Sequence, residues 1–241
     1  MDTAFYMPHL DRKRRIWVYL PPDYQTSGKK YPVIYMHDGQ NLFDAYTSGF
    51  GEWGVDELMD SLYLKKSNMS IIVGIDHGGR HRLTEYNPYN SERYGEGRGD
   101  DYVDFLAHTL KPYIDQNFRT KNSFVNTFIA GSSMGGLISI YAVAKYPEVF
   151  GKAGVFSPAF WIAPEIFDYI AQKNVDKPEI YFVAGELEYN EMVPDMKKMY
   201  DQLLLQGTRH EQMIIKTALD GKHSEWFWHR EFPEFYNWII K

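Results

Sequence analysis

The segment Gly131-Ser132-Ser133-Met134-Gly135 constrains this chain more than any other five residues. It reads G-x-S-x-G. It follows Phe124-Val125-Asn126-Thr127-Phe128-Ile129-Ala130, whose β-branched and aromatic residues predict a strand. It precedes residues 137–146, which predict a helix ending at Pro147. A strand turning sharply into a helix strains the backbone of the middle residue, and glycines on both sides give that turn room. The product is a serine hydroxyl lifted clear of a sheet at the positive end of a helix. The competing reading is a glycine-rich turn in which Ser132 or Ser133 only caps the helix.

Strand-like and helix-like runs alternate along the rest of the chain. Residues 16–20, 33–36, 71–75, 153–156, 180–184 and 213–215 predict short strands; residues 55–64, 193–205 and 226–240 predict helices. Tyr102, Phe105, Leu106, Leu110, Tyr113 and Ile114 recur at helical spacing, with Pro112 expected to kink that helix. This alternation implies the α/β class: a mostly parallel central sheet, helices on both faces, ligands beyond the C-terminal strand ends. No linker interrupts it, so residues 1–241 read as one domain. Residues 77–101 break the rhythm, being polar with five glycines. Tyr86, Tyr89 and Tyr94 there suggest a substrate-facing flap; an insertion packed on the surface is the alternative.

Composition removes several function classes. A formal charge of −6 argues against nucleic acid as a partner. The run Arg12-Lys13-Arg14-Arg15 precedes a strand and reads as a solvated edge. With no cysteine, thiolate catalysis, disulfides and cysteine metal sites are excluded. Neither a cofactor nor a metal is called for by any motif. Met1-Asp2-Thr3 lacks a basic n-region and no apolar run nears membrane-spanning length. The expectation is a cytoplasmic enzyme with no membrane partner, a mature secreted form being the alternative. Oligomeric state is not readable from the chain.

A serine nucleophile needs a base and a carboxylate that orients it. Of eight histidines, His223 lies in a loop after the last predicted strand, where the base of such a sheet belongs. His229 and His108 fall in helical patterns, and His77 and His81 in the long loop. The acid should follow the strand ending at Ala184, which offers Glu186 and Glu188, with Asp195 a distant third. For an oxyanion hole the chain offers two backbone N–H groups, that of Met134 and that of Gln40 in the loop His37-Asp38-Gly39-Gln40-Asn41.

At these residues the chain resembles the esterase branch of the α/β-hydrolases, which includes enterochelin esterases, S-formylglutathione hydrolases, antigen 85 mycolyltransferases and the feruloyl and acetyl xylan esterases of carbohydrate esterase family 1. The matching segments are Tyr35-Met36-His37-Asp38-Gly39-Gln40-Asn41, Gly131 to Leu137, Tyr146-Pro147-Glu148-Val149-Phe150, Ser157-Pro158-Ala159-Phe160-Trp161 and Gly221-Lys222-His223. The resemblance implies the α/β-hydrolase fold, the chain order Ser133, Glu188, His223 for the triad, and Gln40 with Met134 for the oxyanion hole. Glu stands where many members have Asp. The expected activity is serine ester hydrolysis through an acyl-enzyme, on acetyl or feruloyl esters of carbohydrates or similar small esters. Trp53, Trp161, Tyr86 and Arg80 are the candidate substrate contacts. The alternatives are a siderophore lactone esterase, whose cationic pocket Arg80, Arg82, Arg93 and Arg98 would build, an acyltransferase of the antigen 85 type, and a non-catalytic binding relative.

Overall fold

The structure, a computed structural model, describes residues 2–241; Met1, part of the N-terminal reading, lies outside them. Eight strands form one sheet: β1 (Asp2–Met7), β2 (Arg12–Tyr19), β3 (Val33–His37), β4 (Ile71–Ile75), β5 (Thr127–Ser132), β6 (Lys152–Phe156), β7 (Glu179–Gly185) and β8 (Met213–Ala218). Their order is β1-β2-β4-β3-β5-β6-β7-β8. β2 runs antiparallel to β1 and β4, and every pair from β4 to β8 is parallel.

Parallel strands are near-continuously apolar because crossover helices cover them. In β6 all five residues are buried. Gly154 and Phe156 meet the Phe235 ring of the closing helix Glu225–Ile239, while Ala153 and Val155, of opposite parity, are equally buried. The helix after the candidate serine, Met134–Lys145, is buried at every residue but Lys145. A helix apolar on all sides belongs inside, which explains its weak amphipathic pattern. Pro112 breaks no helix. Gly99–Phe105 and Lys111–Asn117 are joined through a π-helical turn at Leu106–Leu110, which absorbs the missing N–H and the ring just ahead of the proline.

The arginine run is not a solvated edge. β2 begins at Arg12, and β1 lies outside it. Arg12 and Arg14 each donate to Glu85 at 2.7 Å; the Glu85 side chain is wholly buried and that of Arg14 nearly so. This pair ties residues 77–101 to the sheet. Removing one partner strands the other's charge, so Glu85→Ala should lose about 3–5 kcal/mol in chemical denaturation. A loss under about 1 kcal/mol would show that Arg14 finds water or another acceptor.

Candidate active site

Ser133 stands between β5 and the helix Met134–Lys145 with φ 59° and ψ −120°. That left-handed backbone is strained for any side chain larger than hydrogen. The surroundings hold it: the Ser133 N–H donates to the Phe156 carbonyl, and the Ser133 carbonyl accepts from the N–H groups of Gly136, Leu137 and Ala159. At Gly131 a Cβ would come within 2.8 Å of the His37 ring, so the histidine that ends the neighbouring strand β3 occupies the room this glycine leaves. At Gly39 a Cβ would overlap the backbone of Gly74 and Ile75. The loop after β3 is thus pressed onto β4, and its glycine serves that contact.

The loops after β7 and β8 meet through hydrogen bonds from Glu186 N to the Ala218 carbonyl (2.9 Å) and from Leu187 N to the Gly221 carbonyl (3.0 Å). They bring Glu188 to His223, with Glu188 Oε2 2.6 Å from Nδ1. The other oxygen, Oε1, accepts from Gly185 N (2.5 Å) and from Ser157 Oγ (2.8 Å), which itself accepts from Trp228 Nε1 (2.8 Å). The Glu188 side chain is fully buried, that of His223 23% exposed. This carboxylate is satisfied on both oxygens, as a buried charge must be. Glu186 is exposed, and the helix Met192–Leu205 carries Asp195.

Ser133 and His223 line one cavity of about 240 Å³, with Asp38, Asn41, Phe50, His77, Arg82, Glu225 and Trp228 around them. Met134 opens its helix, so its N–H is among those with no partner inside that helix. Gln40 is buried, and its side chain accepts from His77 N at 3.1 Å. Asp38, also left-handed at φ 57°, is gripped by Arg82 through two hydrogen bonds of 2.7 and 2.8 Å. Burial pushes the Asp38 carboxyl up, but the guanidinium outweighs it and holds the pKa below its ordinary value. Burial raises the pKa of Glu225, which accepts from Asn41 Nδ2.

Three of the four expected substrate contacts fall elsewhere. Tyr86 is fully buried, its hydroxyl accepting from Asp38 N behind the cavity, so this tyrosine belongs to no flap. Trp53 is 3% exposed and packs on Phe156, Trp228 and Phe232 beneath the site. Arg80 is exposed beside His81, outside the cavity lining. Trp161 is also outside the cavity lining but nearer the site, its ring 5.3 Å from that of Tyr189, which is 5.4 Å from the His223 ring. Of the long segment only His77 and Arg82 reach the cavity. Sequence reading missed Phe50, Ser157, Tyr189, Glu225 and Trp228. Glu225 lies two residues after His223, and Ser157 opens one of the matching segments.

His37 supports the site from behind. Its Nδ1 lies 2.8 Å from Tyr102 Oη, and burial lowers its pKa from 6.5 to about 3, with Asp38 opposing and Arg82 adding to the shift. Between pH 6.5 and about 3 the unfolded chain binds a proton the folded protein excludes. This histidine's contribution is therefore fully present above 6.5 and is lost as pH falls, by up to about 1.4 kcal/mol per unit. Urea midpoints should fall with pH through that window, and more shallowly in His37→Asn. An equal slope in both proteins would contradict this.

The sheet order, the left-handed serine and the acid-histidine loop pair define an α/β-hydrolase. The chain belongs to the esterase family described as "Putative esterase", whose model matches residues 8–235, and it is a carboxylic-ester hydrolase. It is 26% identical to the "Uncharacterized protein YbbA" of Bacillus subtilis over 96% of this chain and 94% of YbbA. It is 29% identical to an "Endo-1,4-beta-xylanase/feruloyl esterase" of Xylanibacter ruminicola over 91% of this chain and 30% of that protein. The solved enterobactin esterase of Shigella flexneri superposes with a TM-score of 0.81 at 19% identity, covering 98% of this chain and 57% of the other. Among the described residues no helix is long and apolar enough to cross a membrane.

Proposed function

We propose that Ser133 attacks the carbonyl carbon of an ester while His223 takes its proton, with Glu188 holding the imidazole in the tautomer that accepts at Nε2. The N–H groups of Gln40 and Met134 receive the oxyanion, each contributing about 3–4 kcal/mol in the transition state. His223 returns the proton to the leaving alkoxide, an acyl-enzyme forms, and water activated by the same imidazole releases the acid. The observation that carries this reading is the 2.6 Å contact of Glu188 with His223, across one cavity from Ser133.

The substrate this reading favours is an acetyl or hydroxycinnamoyl ester of a carbohydrate, or a similar small neutral ester. Phe50 and Trp228 line the cavity and Tyr189 flanks His223, offering flat apolar faces with polar groups between them. The feruloyl esterase activity named for the Xylanibacter relative agrees with it. A siderophore lactone is the second reading, favoured by the likeness to the enterobactin esterase. It would want converging cations. Of Arg80, Arg82, Arg93 and Arg98, only Arg82 lines the cavity, where Asp38 engages it and Glu225 adds a carboxylate. Arg98 instead donates to Asp101 and the His9 carbonyl.

The test is a panel of methyl ferulate, acetylated xylan, p-nitrophenyl acetate and a catecholate siderophore, with a sugar acceptor present. The expected result is release of free acid, and kcat/KM for a neutral ester at least about tenfold above that for the siderophore, a difference of about 1.4 kcal/mol. A reversed order would sink the substrate reading, and acyl transfer to the sugar as the main product would sink hydrolysis as the preferred outcome.

A further inference from the structure

A cavity larger than the one at Ser133 lies away from it. A groove of about 980 Å³ runs along the N-terminal ends of the parallel strands, touching Pro32 before β3, Met69 before β4, Asn126 before β5, Lys152 of β6 and Glu179 of β7. Strands of five to seven residues put roughly 17–20 Å of sheet between this groove and the cavity at their other ends. Its volume is at the upper end for small-ligand pockets, room for several sugar units.

Its charge runs against that of the chain. In a protein of formal charge −6, six lysines and only two carboxylate side chains line this groove. Lys29 pairs with Asp23 at 2.9 Å. Lys30, Lys66 and Lys121 are exposed and have no ion pair among the described residues. Lys152 is the telling one. Its side chain is only 10% exposed, and its Nζ has Glu179 at 3.2 Å, with the Phe128 ring 5.5 Å below. An ammonium has three donors, and burial is costly for a charge that leaves donors idle.

We infer that this groove is a second binding site, taking a carboxylate-bearing oligosaccharide. Repeating carboxylates match lysines spread along a groove, where each contact is a point charge. Phosphate recognition favours the arginine fork, and no arginine lines the groove. An anionic membrane is too flat to enter a groove, and nucleic acid carries its charge at higher density than a short acidic glycan, so a net negative protein repels it more strongly at long range. The half-exposed Val125 and the Tyr63 ring add apolar faces on which sugar rings can lie. The site stands independently of which ester Ser133 cleaves.

The experiment is calorimetric titration of the full chain with oligogalacturonate, with a neutral xylo-oligosaccharide, polyphosphate and phosphatidylglycerol vesicles as the other arms. Oligogalacturonate should bind, more weakly as sodium chloride rises from about 50 to about 200 mM. The triple variant Lys30→Gln/Lys66→Gln/Lys121→Gln should lose affinity at least about tenfold while turning over p-nitrophenyl acetate at the parent rate, which shows that it is folded. Ser133→Ala should bind like the parent, separating this groove from the catalytic cavity. Absence of oligogalacturonate binding, equal binding by the triple variant, or tighter binding of polyphosphate, vesicles or the neutral glycan would each overturn the proposal.

Discussion

Ser133→Ala should lower kcat by roughly ten thousand- to a million-fold on any ester the protein turns over, with KM changed by no more than about threefold. The hydroxyl is the only group lost, and in the proposed mechanism it makes the bond to the acyl carbon. Alanine keeps a Cβ at φ 59°, so the backbone strain is the same in both proteins and the thermal midpoint should not fall. The variant therefore separates chemistry from folding. Turnover above about one per cent of the parent would mean that another group attacks the ester.

Glu188→Gln should lower kcat by roughly a thousand- to ten thousand-fold, although it keeps the size and shape of the side chain. The carboxylate faces only donors: Gly185 N–H and Ser157 Oγ on one oxygen, His223 Nδ1 on the other. An amide has one acceptor. If its oxygen faces Gly185, its NH₂ meets His223 and selects the imidazole tautomer that cannot take a proton from Ser133. If its oxygen faces His223, two N–H donors confront each other across the 2.5 Å contact with Gly185. The first orientation spoils the base and the second sets donor against donor at Gly185, so the first is favoured, and the buried donors left unpaired also cost stability. Glu186→Gln, on an exposed side chain, should change kcat less than about threefold. Equal effects at both positions would remove Glu188 from its proposed role.

Local chemistry wrote much of this site into the sequence. The elbow was legible because glycines, a serine, a β-rich run and an apolar helix must follow one another within about twenty residues. Its boundaries shifted: Phe124–Asn126 forms a short 3-10 turn, and the strand occupies Thr127–Ser132. Loop order after β7 and β8 pointed to His223 and to either Glu186 or Glu188 for the same reason, since parallel topology gathers strand ends on one side, and the family resemblance favoured Glu188. Aromatic residues misled. A tryptophan or tyrosine pairs an apolar face with a polar tip, and nothing local says whether that face meets substrate or core. Trp53 and Tyr86 are buried by partners far along the chain, Trp228 and Tyr102 among them. The arginine run misled likewise, because its partner Glu85 is about seventy residues away. Asn41 and Glu225, 184 residues apart, meet only once the sheet exists. The short β1 and the helix Glu165–Ala171 carried no periodic pattern strong enough to read.

The most direct test of the central claim is the site of covalent capture. The protein is treated with a fluorophosphonate, digested, and the adduct located by mass spectrometry. One phosphonyl group on Ser133, absent from Ser133→Ala and formed far more slowly in a His223→Ala protein, is the predicted result. An adduct on Ser132, on Ser157 or on no serine, in protein that still hydrolyses esters, would contradict the assignment.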